Sequence, residues 1–159
     1  MIRIRQASAG EETLVAKIIR ASMLASYAHF LPAHQFQKIL DLDRPAQVAR
    51  QDAPRFSVAE ADGLPAGVLL LKENYVDHLW GHPSCMRKGV GTALLEHASN
   101  RARQAGFVTL TLDCFKLNEK ALAFYRANGF AVERTYTASN YMVGETVCSL
   151  AKPLQPTAP

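Results

Sequence analysis

Apolar and polar residues alternate from Ile2 to Ala7, the two-residue period of a half-buried strand. Ser8 and Glu11 follow at capping-box spacing and predict a helix start. Leu14, Val15, Ile18, Ile19 and Met23 then recur with helical period. "HFLPAHQFQKIL" predicts a second, shorter helix opening near Pro32, and Pro45 to Arg50 a further turn or two. Beyond Arg55 the period shortens. "RFSVAEA" and "PAGVLLLK" flank Asp62-Gly63, a strong hairpin signal, and Glu73-Asn74 turns the chain into "YVDHLWG". Gly91 to Ala105 returns to helical period, with Leu94, Leu95, Ala98 and Ala102 on one side and Gly106 as the stop. "VTLTLDC" predicts a strand, "NEKALAFYRAN" a short amphipathic helix ended by Gly129, and "FAVERTY" and "ETVCSLAK" closing strands. The order β-α-α-β-β-β-α-β-α-β-β predicts an α/β chain with helices packed on a mixed sheet.

The chain has 159 residues, 48% of them apolar, which predicts one globular domain over residues 1–152 and a disordered tail over 153–159. The net charge of +4 is too small for the dense basic stripe of a nucleic-acid binder, and neither a recognition helix nor an aromatic RNA-binding motif stands out. It suits a small anionic ligand. The best apolar run, "AGVLLL", is six residues, and the N-terminus lacks the apolar stretch of a signal peptide. Cys85, Cys114 and Cys148 form no metal-like cluster. Reduced thiols, a soluble chain, no membrane partner and a cytoplasmic location are the expectation.

"MRKGVGTALLEHA" carries the candidate chemistry. A strand ending at Gly81, then Arg87 and Lys88, then Gly89 and Gly91 opening a helix, has the parts of an anion site. The first amides of a helix have no partner within it, the helix dipole adds positive charge there, and glycine lets a phosphate approach the backbone. Two other phosphate loops are excluded. No Gly-Lys-Ser/Thr run occurs, and Leu94 stands where a dinucleotide fingerprint needs its third glycine. A plain glycine turn between solvated basic residues is the other reading.

The stretch Met86-Arg87-Lys88-Gly89-Val90-Gly91 resembles the acetyl-CoA motif of the GNAT superfamily of N-acetyltransferases, Gln/Arg-x-x-Gly-x-Gly/Ala. Downstream, Asn118, Ala121, Phe124, Tyr125, Gly129 and Phe130 match the family's Asn-x-x-Ala-x-x-Phe-Tyr-x-x-x-Gly-Phe. Together the two motifs are far more specific than either alone. The resemblance implies a twisted, mostly antiparallel sheet whose central strands, "YVDHLWG" and "VTLTLDC", run parallel and splay, with helices on both faces. It implies acetyl-CoA as cosubstrate, its pyrophosphate on Arg87, Lys88, Gly89, Val90, Gly91 and Thr92, and its pantetheine arm along Leu79 and Gly81, with Asn118 and Tyr125 in contact. Two departures stand out. Met86 replaces the motif's leading Gln/Arg and cannot donate a hydrogen bond, and Gly81 stands where a β-branched residue is common.

The resemblance further implies that Tyr125 is the general acid for the departing thiolate, and that the Leu79 amide is the oxyanion donor. Tyrosine ordinarily titrates near ~10 and so keeps its proton at neutral pH; core packing beside Phe124 is the alternative. Asp77 is the one acid on its strand. It is either the base that takes the amine's proton or an acid that caps or ion-pairs near the strand. Cys114 shows no nearby base and is expected to be a buried strand residue. Trp80 is expected to pack. His29 and His34 are expected to be solvated helix residues, although the family's early helices wall the acceptor site. Two functions remain. One is an N-acetyltransferase acting on a primary amine by direct attack in a ternary complex. The other is an acyl-CoA-binding sensor or partner module without turnover. A small molecule or a protein could carry the amine, and a homodimer is compatible with the family.

Overall fold

The computed structural model describes residues 1–156; residues 157–159 of the expected tail lie outside it. Seven strands form one sheet in the order β1-β2-β3-β4-β5-β7-β6. They are β1 (Ile2–Gln6), β2 (Ser57–Ala61), β3 (Leu64–Lys72), β4 (Tyr75–Gly81), β5 (Thr109–Phe115), β6 (Ala131–Thr137) and β7 (Thr146–Pro153). The helices are α1 (Glu12–Ser26), α2 (Ala33–Leu42), α3 (Arg44–Asp52), α4 (Val90–Gln104) and α5 (Glu119–Ala127). The described chain divides into two compact units, residues 1–70 with 78–94, and residues 71–77 with 95–156. No helix among the described residues is long and apolar enough to cross a membrane.

In the first unit, β1 and β2 pair antiparallel from Ile2↔Ala61 to Gln6↔Ser57, and β2 pairs antiparallel with β3. Asp62 and Gly63 both have positive φ, 51° and 81°, the signature of a type I′ hairpin turn. The entry to α1 realises half of the expected capping box. The Ser8 amide donates to Glu11 Oε1 at 2.6 Å, but no side chain caps the helix. Glu11 is also held by Arg5 through a two-pronged pair at 2.7 and 2.9 Å, which ties β1 to the helix start. That guanidinium, and then the Ser8 amide, lower the Glu11 carboxyl to about 2. Val15, Ile18, Ile19 and Met23 bury the predicted stripe of α1. Asp43, at φ 46°, ends α2 and begins α3, and accepts from Arg20 at 2.8 Å.

In the second unit, β4 runs parallel to β5, registered at Tyr75↔Thr111 and Val76↔Leu112. β5 pairs antiparallel with β7, setting Cys114 opposite Cys148, and β7 pairs antiparallel with β6. Leu110, Leu112 and Leu150 are fully buried. Both predicted glycine stops hold. Gly106 and Gly129 take φ of 92° and 93°, and the following amides of Phe107 and Phe130 bond back to Ala102 and Tyr125. The boundary of the expected tail moves. Pro153 is the last residue of β7, and Leu154 is buried, its amide donating to the Val108 carbonyl at 2.8 Å, so order extends past residue 153.

Candidate active site

Three backbone features shape the loop before α4. The Pro83–Cys85 turn is capped by His82, whose Nδ1 accepts from the Ser84 amide at 3.2 Å. Arg87 then takes φ 64° and Gly89 φ 82°. The Gly89 carbonyl accepts from the Ala93 amide at 3.0 Å, which makes Gly89 the residue that opens the helix. Among the described residues, the amides of Lys88, Gly89, Val90, Gly91 and Thr92 donate to no recorded protein acceptor. Arg87 and Lys88 are exposed beside them. The side chain of Val90 is buried, so this residue offers its amide alone. Met86 is 64% exposed and contributes no donor from its side chain.

The loop is held against the sheet at Gly67 of β3. A Cβ there would lie 2.8 Å from Val90 Cγ1, 3.0 Å from the Trp80 carbonyl and 3.1 Å from Leu94 Cδ1. The missing side chain is thus what lets the first turn of α4 sit down on the strand. Sequence reasoning passed over Gly67, yet a lone glycine inside a strand pattern is itself the signal of close backbone approach. Gly81 is different. A Cβ there would meet nothing within 4 Å, so the protein itself leaves that space open. Leu79, between His78 and Trp80 on β4, is half-buried. Unpartnered amides behind a left-handed glycine, with flanking cations and an open backbone at Gly81, suit a diphosphate followed by an extended arm.

In the second unit Asn118 caps α5, its Oδ1 accepting from the Ala121 amide at 3.3 Å. Tyr125 stacks edge-on with Phe124 and Phe130, at centroid separations of 5.4 and 5.8 Å. Burial, with a smaller contribution from neighbouring Cys114, raises its hydroxyl above the usual tyrosine range. It therefore holds a transferable proton across neutral and mildly alkaline pH. Burial likewise pushes the Cys114 thiol up to about 12, in accord with a buried strand residue and against a thiolate nucleophile. Asp77 pairs with Lys72 Nζ at 3.0 Å, the ion-paired arrangement weighed against the base. Another carboxylate gathers hydroxyls instead. Asp113 accepts from Tyr75 at 3.2 Å, Tyr136 at 2.9 Å and Ser149 at 2.9 Å, a node that no motif announced. Of the expected site residues, Leu79, Gly81 and 87–92 lie in the first unit, and Asp77, Asn118 and Tyr125 in the second.

The family model described as "Acetyltransferase (GNAT) family" matches residues 17–130. The chain is 33% identical over 81 residues to the peptidyl-lysine N-acetyltransferase YjaB of Escherichia coli (strain K12), a match covering 51% of this chain and 52% of that protein. This match thus spans about half the length of that relative. The solution structure of apo-form YjaB from Escherichia coli superposes with a TM-score of 0.76 at 26% identity, over 99% of each chain. The PaiA N-acetyltransferase of Thermoplasma acidophilum, solved in complex with coenzyme A, gives a TM-score of 0.76 at 19% identity over 96% of this chain and 99% of that one, and shows the fold alone.

Proposed function

The chain belongs to the acetyltransferase (GNAT) family, and from that premise we propose that it is an acetyl-CoA-dependent N-acetyltransferase that acts on a primary amine, the side chain of a protein lysine, by direct attack in a ternary complex. The observation that carries this reading is the row of unpartnered amides from Lys88 to Thr92. The lysine acceptor follows the naming of the YjaB relative.

Acetyl-CoA supplies an acetyl group activated as a thioester. The amides of residues 88–92 bind its pyrophosphate, with Arg87 and Lys88 adding charge. Leu79 and Gly81 offer strand backbone to the pantetheine arm, and the Leu79 amide donates to the carbonyl oxygen as negative charge builds. The Asn118 side chain, fixed by its capping bond, orients the arm from the start of α5. Tyr125, kept protonated by burial, donates its proton to the departing thiolate. An alkylammonium titrating near ~10 must lose a proton before it attacks. Asp77 accepts that proton, directly or through water, once Lys72 is drawn off. Burial that keeps Cys114 a thiol argues against an acyl-cysteine route and supports the reading of direct attack. Met86 favours the alternative of a turnover-free acyl-CoA sensor, because it removes one side-chain donor from the phosphate grip.

Initial rates of coenzyme release, measured with varied acetyl-CoA and varied lysine peptide, test the proposal. Intersecting double-reciprocal lines are expected. Parallel lines would point to a covalent intermediate, and tight coenzyme binding without release on any amine would favour the sensor.

A further inference from the structure

A row of aromatic rings crosses the first unit beside β4. Phe56 lies fully buried at its inner end, with its ring centroid 5.9 Å from that of His78. His78 and Trp80 alternate along β4 and so share a face, with centroids 6.3 Å apart. Tyr27, at the end of α1, tilts against Trp80 at 5.5 Å and meets Phe30 edge-on at 5.0 Å. Unlike Phe56, the four outer rings are only half-buried. The Trp80 ring packs on Tyr27 and His78, as the sequence led one to expect, and still keeps part of its surface open.

Two polar atoms of this ledge are turned on one another. Trp80 Nε1–H donates to His78 Nδ1 at 3.1 Å, which fixes the neutral imidazole with its proton on Nε2. The ledge therefore presents ring faces. Such faces attract a cation, and their apolar area packs an alkyl stem. A lysine side chain has that composition, four methylenes and an ammonium head. The ledge also adjoins the anion loop. The Trp80 carbonyl and the Val90 side chain press on the same glycine, Gly67, at 3.0 and 2.8 Å from its absent Cβ.

We infer that Tyr27, Phe30, His78 and Trp80 form the acceptor subsite, which selects a cationic alkylamine by stacking its stem and head on the rings. This rests on the proposed acetyl transfer to lysine, which it supplies with a specificity determinant. Loss of the charged head while the stem is kept isolates the cation–π contribution.

Trp80 is the chain's single tryptophan, so its emission reports the ledge without any turnover. The full-length protein is titrated with three peptides of one sequence bearing lysine, trimethyl-lysine or norleucine at the centre. Lysine and trimethyl-lysine are expected to shift the emission and to bind about fivefold or more tighter than norleucine. Tyr27→Leu, which leaves the reporter in place, should erase most of that difference and raise KM for the lysine peptide by about fivefold with acetyl-CoA affinity unchanged. Equal affinity for the three peptides, or an unchanged preference in Tyr27→Leu, overturns the inference. The two failures are distinguishable. Cation preference without acetyl transfer removes the proposed reaction and keeps the ledge, whereas lysine acetylation without cation preference removes the ledge and keeps the reaction.

Discussion

Replacing Gly67 with alanine tests how the sheet sets the loop before α4. The added methyl would sit 2.8 Å from Val90 Cγ1, 3.0 Å from the Trp80 carbonyl and 3.1 Å from Leu94 Cδ1. Ordinary contacts begin near 3.4 Å, so three neighbours must each yield by several tenths of an ångström. The carbonyl cannot rotate away, and Leu94 is fully buried. Relief must come from lifting the first turn of α4 off β3. Overpacking of this kind costs roughly 1–3 kcal/mol. In a chain of this size that lowers Tm by roughly 2–4 °C per kcal/mol. Because Val90 heads the helix whose amides are unpartnered, coenzyme affinity should weaken beyond the loss of stability. Thermal melts by circular dichroism and calorimetric titration with acetyl-CoA read the two effects. Gly81→Ala is the internal control. Its methyl meets no protein atom within 4 Å, so Tm should hold or rise slightly while coenzyme affinity falls, since the proposed path of the pantetheine arm runs through that space. A Gly67→Ala protein with unchanged Tm and unchanged affinity would refute the reasoning.

Tyr125→Phe keeps the edge-on ring contacts and removes the proton, so kcat should fall about 10²-fold or more with coenzyme Kd nearly unchanged; stopped-flow coenzyme release and calorimetry measure the two. Because burial raises this phenol, any alkaline loss of wild-type rate near pH 10 should belong to another group, and a tyrosinate absorbance rise near 295 nm that tracked the rate at ~10 would contradict the assignment. Asn118→Ala removes the N-cap of α5 and should cost about 1 kcal/mol in urea unfolding and raise the KM for acetyl-CoA. Glu11 titrates lower in the fold than in the unfolded chain, so its contribution is present above about 4.5 and is lost as pH falls toward about 2. Glu11→Gln should flatten acid unfolding in that window, and an unaltered acid limb would count against the Arg5–Glu11 tie.

The order of elements was legible because each segment carries its own period and its own punctuation. Asp62-Gly63 can adopt the paired left-handed angles of a tight hairpin, and Gly106 and Gly129 end helices with the same freedom. The glycine loop that opens α4 was legible for a similar reason, since glycine spacing and helix periodicity are local properties. What stayed hidden depends on contacts distant in sequence. The pairing of Asp77 with Lys72 needs the turn between β3 and β4 to close. The convergence of Tyr75, Tyr136 and Ser149 on Asp113 needs three strands in register with β5. The capping box was half right because Glu11 is shared with Arg5, a residue of β1 outside the local motif. At the end of the chain Leu154 docks on Val108 through one amide bond, a contact that composition cannot reveal.

The central claim is that the amides from Lys88 to Thr92 hold a diphosphate. Resolved amide signals of ¹⁵N-labelled protein, followed as coenzyme A is added, test it most directly. The account predicts that the signals of Lys88, Gly89, Val90, Gly91 and Thr92 move downfield together with saturation and gain protection from solvent exchange. Saturable binding that leaves all five unmoved would contradict it.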